Sequence, residues 1–302
     1  MPIKNHLIFK FGRNHFLTEL KLLIHKMIRN FPVTHNQIST MNSKTKLFII
    51  LWLAGMAGVL SLLLIDLEAL IAILPIQDRT EIPEITPLLK LLSILQPAVI
   101  LSVAVWAGVV LASKVGLSSP VAEAAAGGGS FTSALKPQII PGIIGGLMGG
   151  AAIVLIAAVS TPFLSPEVVA RISEFGKILP VPARFLYGGI TEELLLRWGL
   201  MSFLVWAGWR FFQKGVDKPK PVYFILAILI SSLIFGIGHL PVAIMLFPEV
   251  TLALTLFVIA ANSAFGLIAG YLYWKKGLES AMIAHILTHG VLLTANYFGT
   301  YF

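Results

Sequence analysis

The chain of 302 residues is 57% hydrophobic and only 12% charged, with a mean hydropathy of +0.89. Soluble domains carry about 25% charged residues, so the composition excludes an ordinary water-soluble fold and makes lipid the solvent. The absence of cysteine excludes disulfide frameworks, thiolate metal sites and cysteine nucleophiles. The net charge of +8 does not imply nucleic acid as a partner, because most basic residues lie beside apolar runs, where they set topology.

A segment crossing hydrocarbon must satisfy its own backbone groups, and a run of about 20 apolar residues does so as a helix. The expected fold class is therefore all-α, a polytopic integral membrane protein. Residues 1–46 come first and carry Lys4, Lys10, Arg13, Lys21, Lys26 and Arg29 among Phe9, Phe16, Leu20, Leu23 and Met27. They read either as a basic amphipathic surface helix or as sequence preceding a true start at Met41. About seven transmembrane helices follow, near 47–64, 88–113, 139–164, 182–212, 221–246, 250–273 and 278–298. The spans up to residue 176 read as accessory helices.

The stretches before Leu47, at 114–138, at 210–220 and at Lys275 and Lys276 hold most of the basic residues, whereas Asp66, Glu68, Asp78, Glu81, Glu84, Glu167, Glu174 and Glu249 fall in the alternate loops. The positive-inside bias then predicts a cytoplasmic N-terminus. In the third span, Gly142, Gly145, Gly146, Gly149 and Gly150 make overlapping Gly-x-x-x-Gly pairs suited to close helix packing. The small residues from Ala124 to Ser130 read as a flexible inner loop. Trp198, Trp206 and Trp209 read as lipid or interface anchors, and Asn262 as an interhelical hydrogen-bonding residue.

Glu192, Glu193 and Arg197 in the fourth span, His239 in the fifth, and His285 and His289 in the seventh are ionisable groups at depth, which normally face a protein interior or a wet cavity. Glu193 and Arg197 stand four residues apart on one helical face, spacing for an ion pair, and Glu192 points about 100° away. Arginine can thus neutralise one carboxylate structurally and leave its neighbour available as a base. At about 1.5 Å per residue, Glu192 lies roughly 15 Å and His239 roughly 10 Å from the outer ends of their spans, and His285 and His289 lie roughly 12 and 17 Å from the inner end of theirs, so all four can meet near mid-membrane.

Two chemistries fit a carboxylate facing imidazoles. Glu192 can deprotonate a water that attacks a carbonyl while histidine and neighbouring donors stabilise the oxyanion. Alternatively His239, His285 and His289 can hold a divalent metal such as zinc, with Glu192 as base or further ligand.

The motifs Glu192-Glu193-Leu194-Leu195-Leu196-Arg197 and Phe235-Gly236-Ile237-Gly238-His239, followed by His285 and His289, resemble in order and content those of the CPBP family, the CAAX proteases and bacteriocin-processing enzymes, which include type II CAAX prenyl endopeptidases. The resemblance covers about 180–300 and implies a four-helix catalytic core within 177–302. It also implies that Glu192 activates water, that His239 and His285 bind it or stabilise the oxyanion, and that Glu193 with Arg197 supports the site. His289 stands where the family commonly has asparagine, which leaves the oxyanion role of that position open. The implied partners are a peptide or protein substrate, with or without a lipid modification, and membrane lipid, in a bacterial inner membrane. Two other functions use the same groups: a proton-coupled transporter and a non-catalytic bacteriocin-immunity protein.

Overall fold

The computed structural model describes residues 42–76 and 86–299, and every regular element among them is helical. The surface helix expected of the basic N-terminal segment and the acidic cluster at Asp78, Glu81 and Glu84 lie outside the described residues. The elements are α1 (Ser43–Ser61), α2 (Leu67–Ile73), α3 (Pro87–Ser93), α4 (Leu95–Leu111), α5 (Pro120–Gly127), α6 (Phe131–Ser160), α7 (Pro166–Ile178), α8 (183–212), α9 (Pro221–Gly238), α10 (Leu240–Leu246), α11 (Leu252–Lys275) and α12 (Leu278–Tyr297).

Their starts follow from local chemistry. Asp66, Thr86, Ser130, Ser165 and Thr251 each accept a hydrogen bond from the backbone N–H three residues on, which satisfies an amide the helix cannot. Proline opens α3, α5, α7 and α9, where no intrahelical amide is needed.

Six spans are long and apolar enough to cross a membrane: Ser43–Leu64, Pro87–Val115, Phe131–Phe163, Pro221–Leu246, Leu252–Lys275 and Leu278–Tyr297. Side chains such as Leu53, Val103 and Leu155 are more than half exposed on them, as a lipid-facing surface requires. The seventh expected span is α8, helical throughout but divided into π turns at Ala183–Glu192, Leu194–Met201 and Gly208–Phe212 and an α segment at Ser202–Ala207. The chain is an all-α polytopic membrane protein.

Two local expectations are corrected. The third span begins at Phe131 and runs through Pro137 and Pro141, because a membrane helix can re-satisfy the carbonyls that a proline frees. The stretch from Ala124 is helical to Gly127 and ends where Gly128 takes a left-handed φ of 77° and donates its N–H to Ala124 O.

Helix α8 is central. Helices α1 and α4 pack on it from the N-terminal half of the chain, and α9, α11 and α12 from the C-terminal half. Helix α6 lies against α12 and α11 through its glycines: a Cβ at Gly142, Gly146 or Gly150 would come within 2.7, 2.6 and 2.6 Å of Ile283, Leu287 and Val291. That approach lets Thr288 Oγ1 donate to Gly146 O at 3.1 Å. On the other side, Thr191 Oγ1 donates to Gly55 O at 2.7 Å and fixes α8 to α1 one residue before Glu192.

Candidate active site

The Glu193 carboxylate is fully buried, and its Oε1 accepts from Arg197 Nη1 at 3.0 Å and from His285 Nδ1 at 2.8 Å. The ion pair that the four-residue spacing predicts is therefore present, and it reaches across to α12. A second guanidinium nitrogen, Arg197 Nη2, donates to Gly266 O at 3.0 Å. The guanidinium also lies over the Phe235 and Phe265 rings, 5.1 and 5.8 Å from their centroids. A charge with no water around it is thus held by a carboxylate, a carbonyl and two aromatic faces, the conditions under which buried ion pairs persist.

Because Nδ1 of His285 donates to Glu193, its neutral ring presents Nε2 as an acceptor. That nitrogen faces Glu192 Oε2 at 3.8 Å. The angular offset between adjacent residues of α8 sends one carboxylate to each nitrogen of the same imidazole. Unlike Glu193, the Glu192 side chain keeps 18% of its surface accessible. The distance to His285 exceeds a hydrogen bond and suits an intervening water.

His239 occupies the junction between α9 and α10, where it ends one helix and starts the next ahead of Pro241. Its Nδ1 donates to Phe235 O at 2.8 Å, which again leaves Nε2 as acceptor in the neutral ring. No hydrogen bond or ion pair among the described residues joins His239 to either glutamate. It enters the cluster through Phe235, whose ring stands edge-on to His239 and His285 at centroid distances of 4.8 and 5.9 Å. His289 stacks on His285, with centroids 5.0 Å apart and planes 11° apart. Its Nδ1 is buried without a hydrogen-bond partner among the described residues.

The three histidines do not assemble as a zinc site. Zinc needs lone pairs converging on one point at about 2.0–2.1 Å; His285 offers one at Nε2, but His289 lies flat against that ring and, among the described residues, no hydrogen bond or ion pair brings His239 to either glutamate. Among the described residues no group of three or more His, Asp or Glu side chains is placed to hold a metal ion.

Several residues that build this cluster escape sequence reasoning. Phe265 of α11 packs on His285 at 4.3 Å between centroids. Gly188 and Gly189 let α12 approach α8, since a Cβ there would come within 2.5 Å of His289 Nε2 and 2.3 Å of Ile286 Cγ1. The adjacent glycines just before Thr191 were a readable sign of close approach, but nothing marks Phe265 out from other apolar residues. Two other expectations are corrected. Trp198 is 1% exposed and donates Nε1 to Val105 O at 3.2 Å, so it is a core residue and no lipid anchor. Asn262 donates to Val258 O of its own helix at 2.8 Å and, among the described residues, bridges no pair of helices.

The fold and this cluster define a polytopic membrane protein with paired carboxylates and imidazoles converging between its helices. Residues 174–291 match the model of a family described as type II CAAX prenyl endopeptidase Rce1-like. The match contains every member of the cluster from Glu192 to His289 and bears out the resemblance to the CPBP and CAAX-protease group over that stretch. No curated protein and no solved structure matches the chain.

Proposed function

We propose that the protein is an intramembrane endopeptidase that hydrolyses a peptide bond with water activated by Glu192. The observation that carries this reading is the 3.8 Å gap between Glu192 Oε2 and His285 Nε2, bounded on one side by a ring that Glu193 holds in a fixed tautomer. A water there donates one proton to Glu192 and the other to His285 Nε2. His239, with its own Nε2 turned to acceptor, is a second acceptor for the proton that the water directs at His285 and shares it with that ring. The water oxygen attacks the scissile carbonyl as its proton passes to Glu192, and Glu192 returns that proton to the leaving amine as the tetrahedral intermediate collapses. No covalent acyl-enzyme forms.

Glu193 and Arg197 do not touch the reacting atoms in this scheme. They hold His285, as the buried acid of a triad orients its histidine. His239 and His285 commit their N–H groups to Phe235 O and Glu193, so His289 is the imidazole left to donate an N–H to the developing oxyanion. The proposed substrate is a peptide or protein of CAAX type carrying a lipid modification, and the proposed site is a bacterial inner membrane with the N-terminus cytoplasmic.

The test is cleavage of a prenylated CAAX peptide by the purified protein in liposomes, with products identified by mass spectrometry. Cleavage that disappears in Glu192→Ala and in His239→Ala supports the proposal, and full cleavage by either variant contradicts it. Proton flux abolished by Glu192→Gln, with no peptide product from the wild type, would instead make the chain a proton-coupled carrier.

A further inference from the structure

Away from the Glu192 cluster, a cavity of about 410 Å³ opens between α1, α5 and the end of α4. Its volume falls in the range of small-molecule sites, about 300–1,000 Å³, and nothing in the proposed mechanism uses it. Its walls combine two chemistries: Leu47, Val109, Leu117 and Trp198 are apolar, and Ser43, Lys44, Ser113 and Ser118, near the ends of α1 and α4, bring hydroxyls and an ammonium. Ser43 and Lys44 begin α1, and Ser113 and Ser118 follow the last turn of α4, so this polar part sits where a span leaves the hydrocarbon. Lys46, Lys114, Lys275 and Lys276 belong to the same end of the bundle, which Leu278 N ties to Ser118 O at 3.1 Å.

We infer that this cavity binds one anionic glycerophospholipid, with its phosphate at Lys44 and the neighbouring serine hydroxyls and an acyl chain running in toward Trp198. The charge is complementary, because a leaflet of anionic lipid attracts basic residues at a span's end. The wall chemistry selects an acyl chain over a peptide. An extended peptide binds through free backbone donors and acceptors, but the cavity walls are helices whose backbone groups bond within themselves. At the connection between α4 and α5, Gly116 N and Leu117 N already donate to Ser113 O and Ala112 O. Among the described lining residues the one acid, Glu123, accepts from Ser119 N at 3.1 Å and so faces its own helix start.

The inner end of the chain's path is fixed by close packing. A Cβ at Gly108 would come within 2.2 Å of Trp198 Cδ1, so α4 gives way there to seat the indole. Trp198 directly follows Arg197, and a bound chain would therefore end one residue from the ion pair that supports the catalytic histidine. Lipid at this place would brace α1, α4 and α8 against one another without entering the Glu192 site.

The experiment is native mass spectrometry of the full-length protein in detergent, titrated with phosphatidylglycerol and, separately, phosphatidylcholine. The expected result is one saturable phosphatidylglycerol adduct, with phosphatidylcholine at least tenfold weaker. Lys44→Gln should remove that preference, and Ala126→Phe, which fills the cavity from α5, should remove the adduct. Unfolding temperatures measured without added lipid identify any variant that has lost its fold; Leu117→Phe then replaces it. Equal affinity for the two lipids, or an undiminished adduct in the filled variants, would overturn the inference. So would displacement of the phospholipid by a prenylated peptide, which would give the cavity to substrate. The readout is lipid mass alone, so it stands or falls independently of peptidase activity.

Discussion

Glutamates in two regions, Glu279 at the start of α12 and the Glu192–Glu193 pair of α8, show how partners decide what a carboxylate can do. Glu279, at the start of α12, accepts through Oε1 from Ser119 Oγ at 2.6 Å, Val121 N at 3.0 Å and Ala122 N at 3.1 Å. Every partner is a fixed donor at the start of α5, so Glu279 serves as a cap that ties α12 to α5. Glu192 and Glu193 face groups that can gain and lose protons, and Glu193 alone is neutralised by arginine. Burial does not separate the two regions. The chemical type of the partner does: among the described residues the Glu192–Glu193 pair faces an imidazole, whereas Glu279 meets a hydroxyl and backbone amides.

The largest expected effect of breaking this contrast lies in rate. Removing a general base typically costs about 10²–10⁴-fold, so Glu192→Ala should lower kcat by that factor while its unfolding curve stays with the wild type. The next effect lies in stability. Arg197→Met strands the Glu193 charge, and loss of one partner of a buried pair costs about 3–5 kcal/mol; reversible unfolding in mixed micelles should show a loss of that size, together with lost cleavage.

A smaller effect belongs to the cap. Glu279→Ala leaves a hydroxyl and two amides unpaired at a cost of about 1–3 kcal/mol, and turnover per folded molecule should remain within a few-fold of wild type. Gly146→Ala sharpens the structural side. Its Cβ would come within 2.6 Å of Leu287 Cβ and 2.8 Å of Ala284 O, and overpacking of this kind costs about 1–3 kcal/mol, again read by unfolding. The smallest effect is expected of His289→Asn, which retains a donor at that position; cleavage should fall less than in His289→Ala.

Much of the architecture was legible because lipid imposes simple rules. Apolar length and flanking charge located the spans, and the glycine spacing of α6 anticipated its seam with α12. The Glu193–Arg197 pair followed from helical geometry. Other features had no sequence signal for a physical reason. In lipid both faces of a helix are apolar, so periodicity does not separate the buried face from the lipid-facing one, and Trp198 could not be told from an interface anchor. For the same reason Phe265 looked like any other residue of its span. The π turns of α8 occur alongside tertiary contacts such as Thr191 with Gly55 O, which no local propensity encodes. A polar side chain in a helix can also turn to its own backbone, as Asn262 does, so its presence alone did not predict a bridge.

The most direct test of the central claim is a paired rate measurement on Glu192→Ala and Glu279→Ala with one lipid-modified peptide, normalised to the folded fraction of each. Turnover that falls by about 10²–10⁴-fold in Glu192→Ala and persists in Glu279→Ala is the predicted result. Wild-type turnover in Glu192→Ala, or equal loss in both variants, would contradict the assignment of Glu192 as the base.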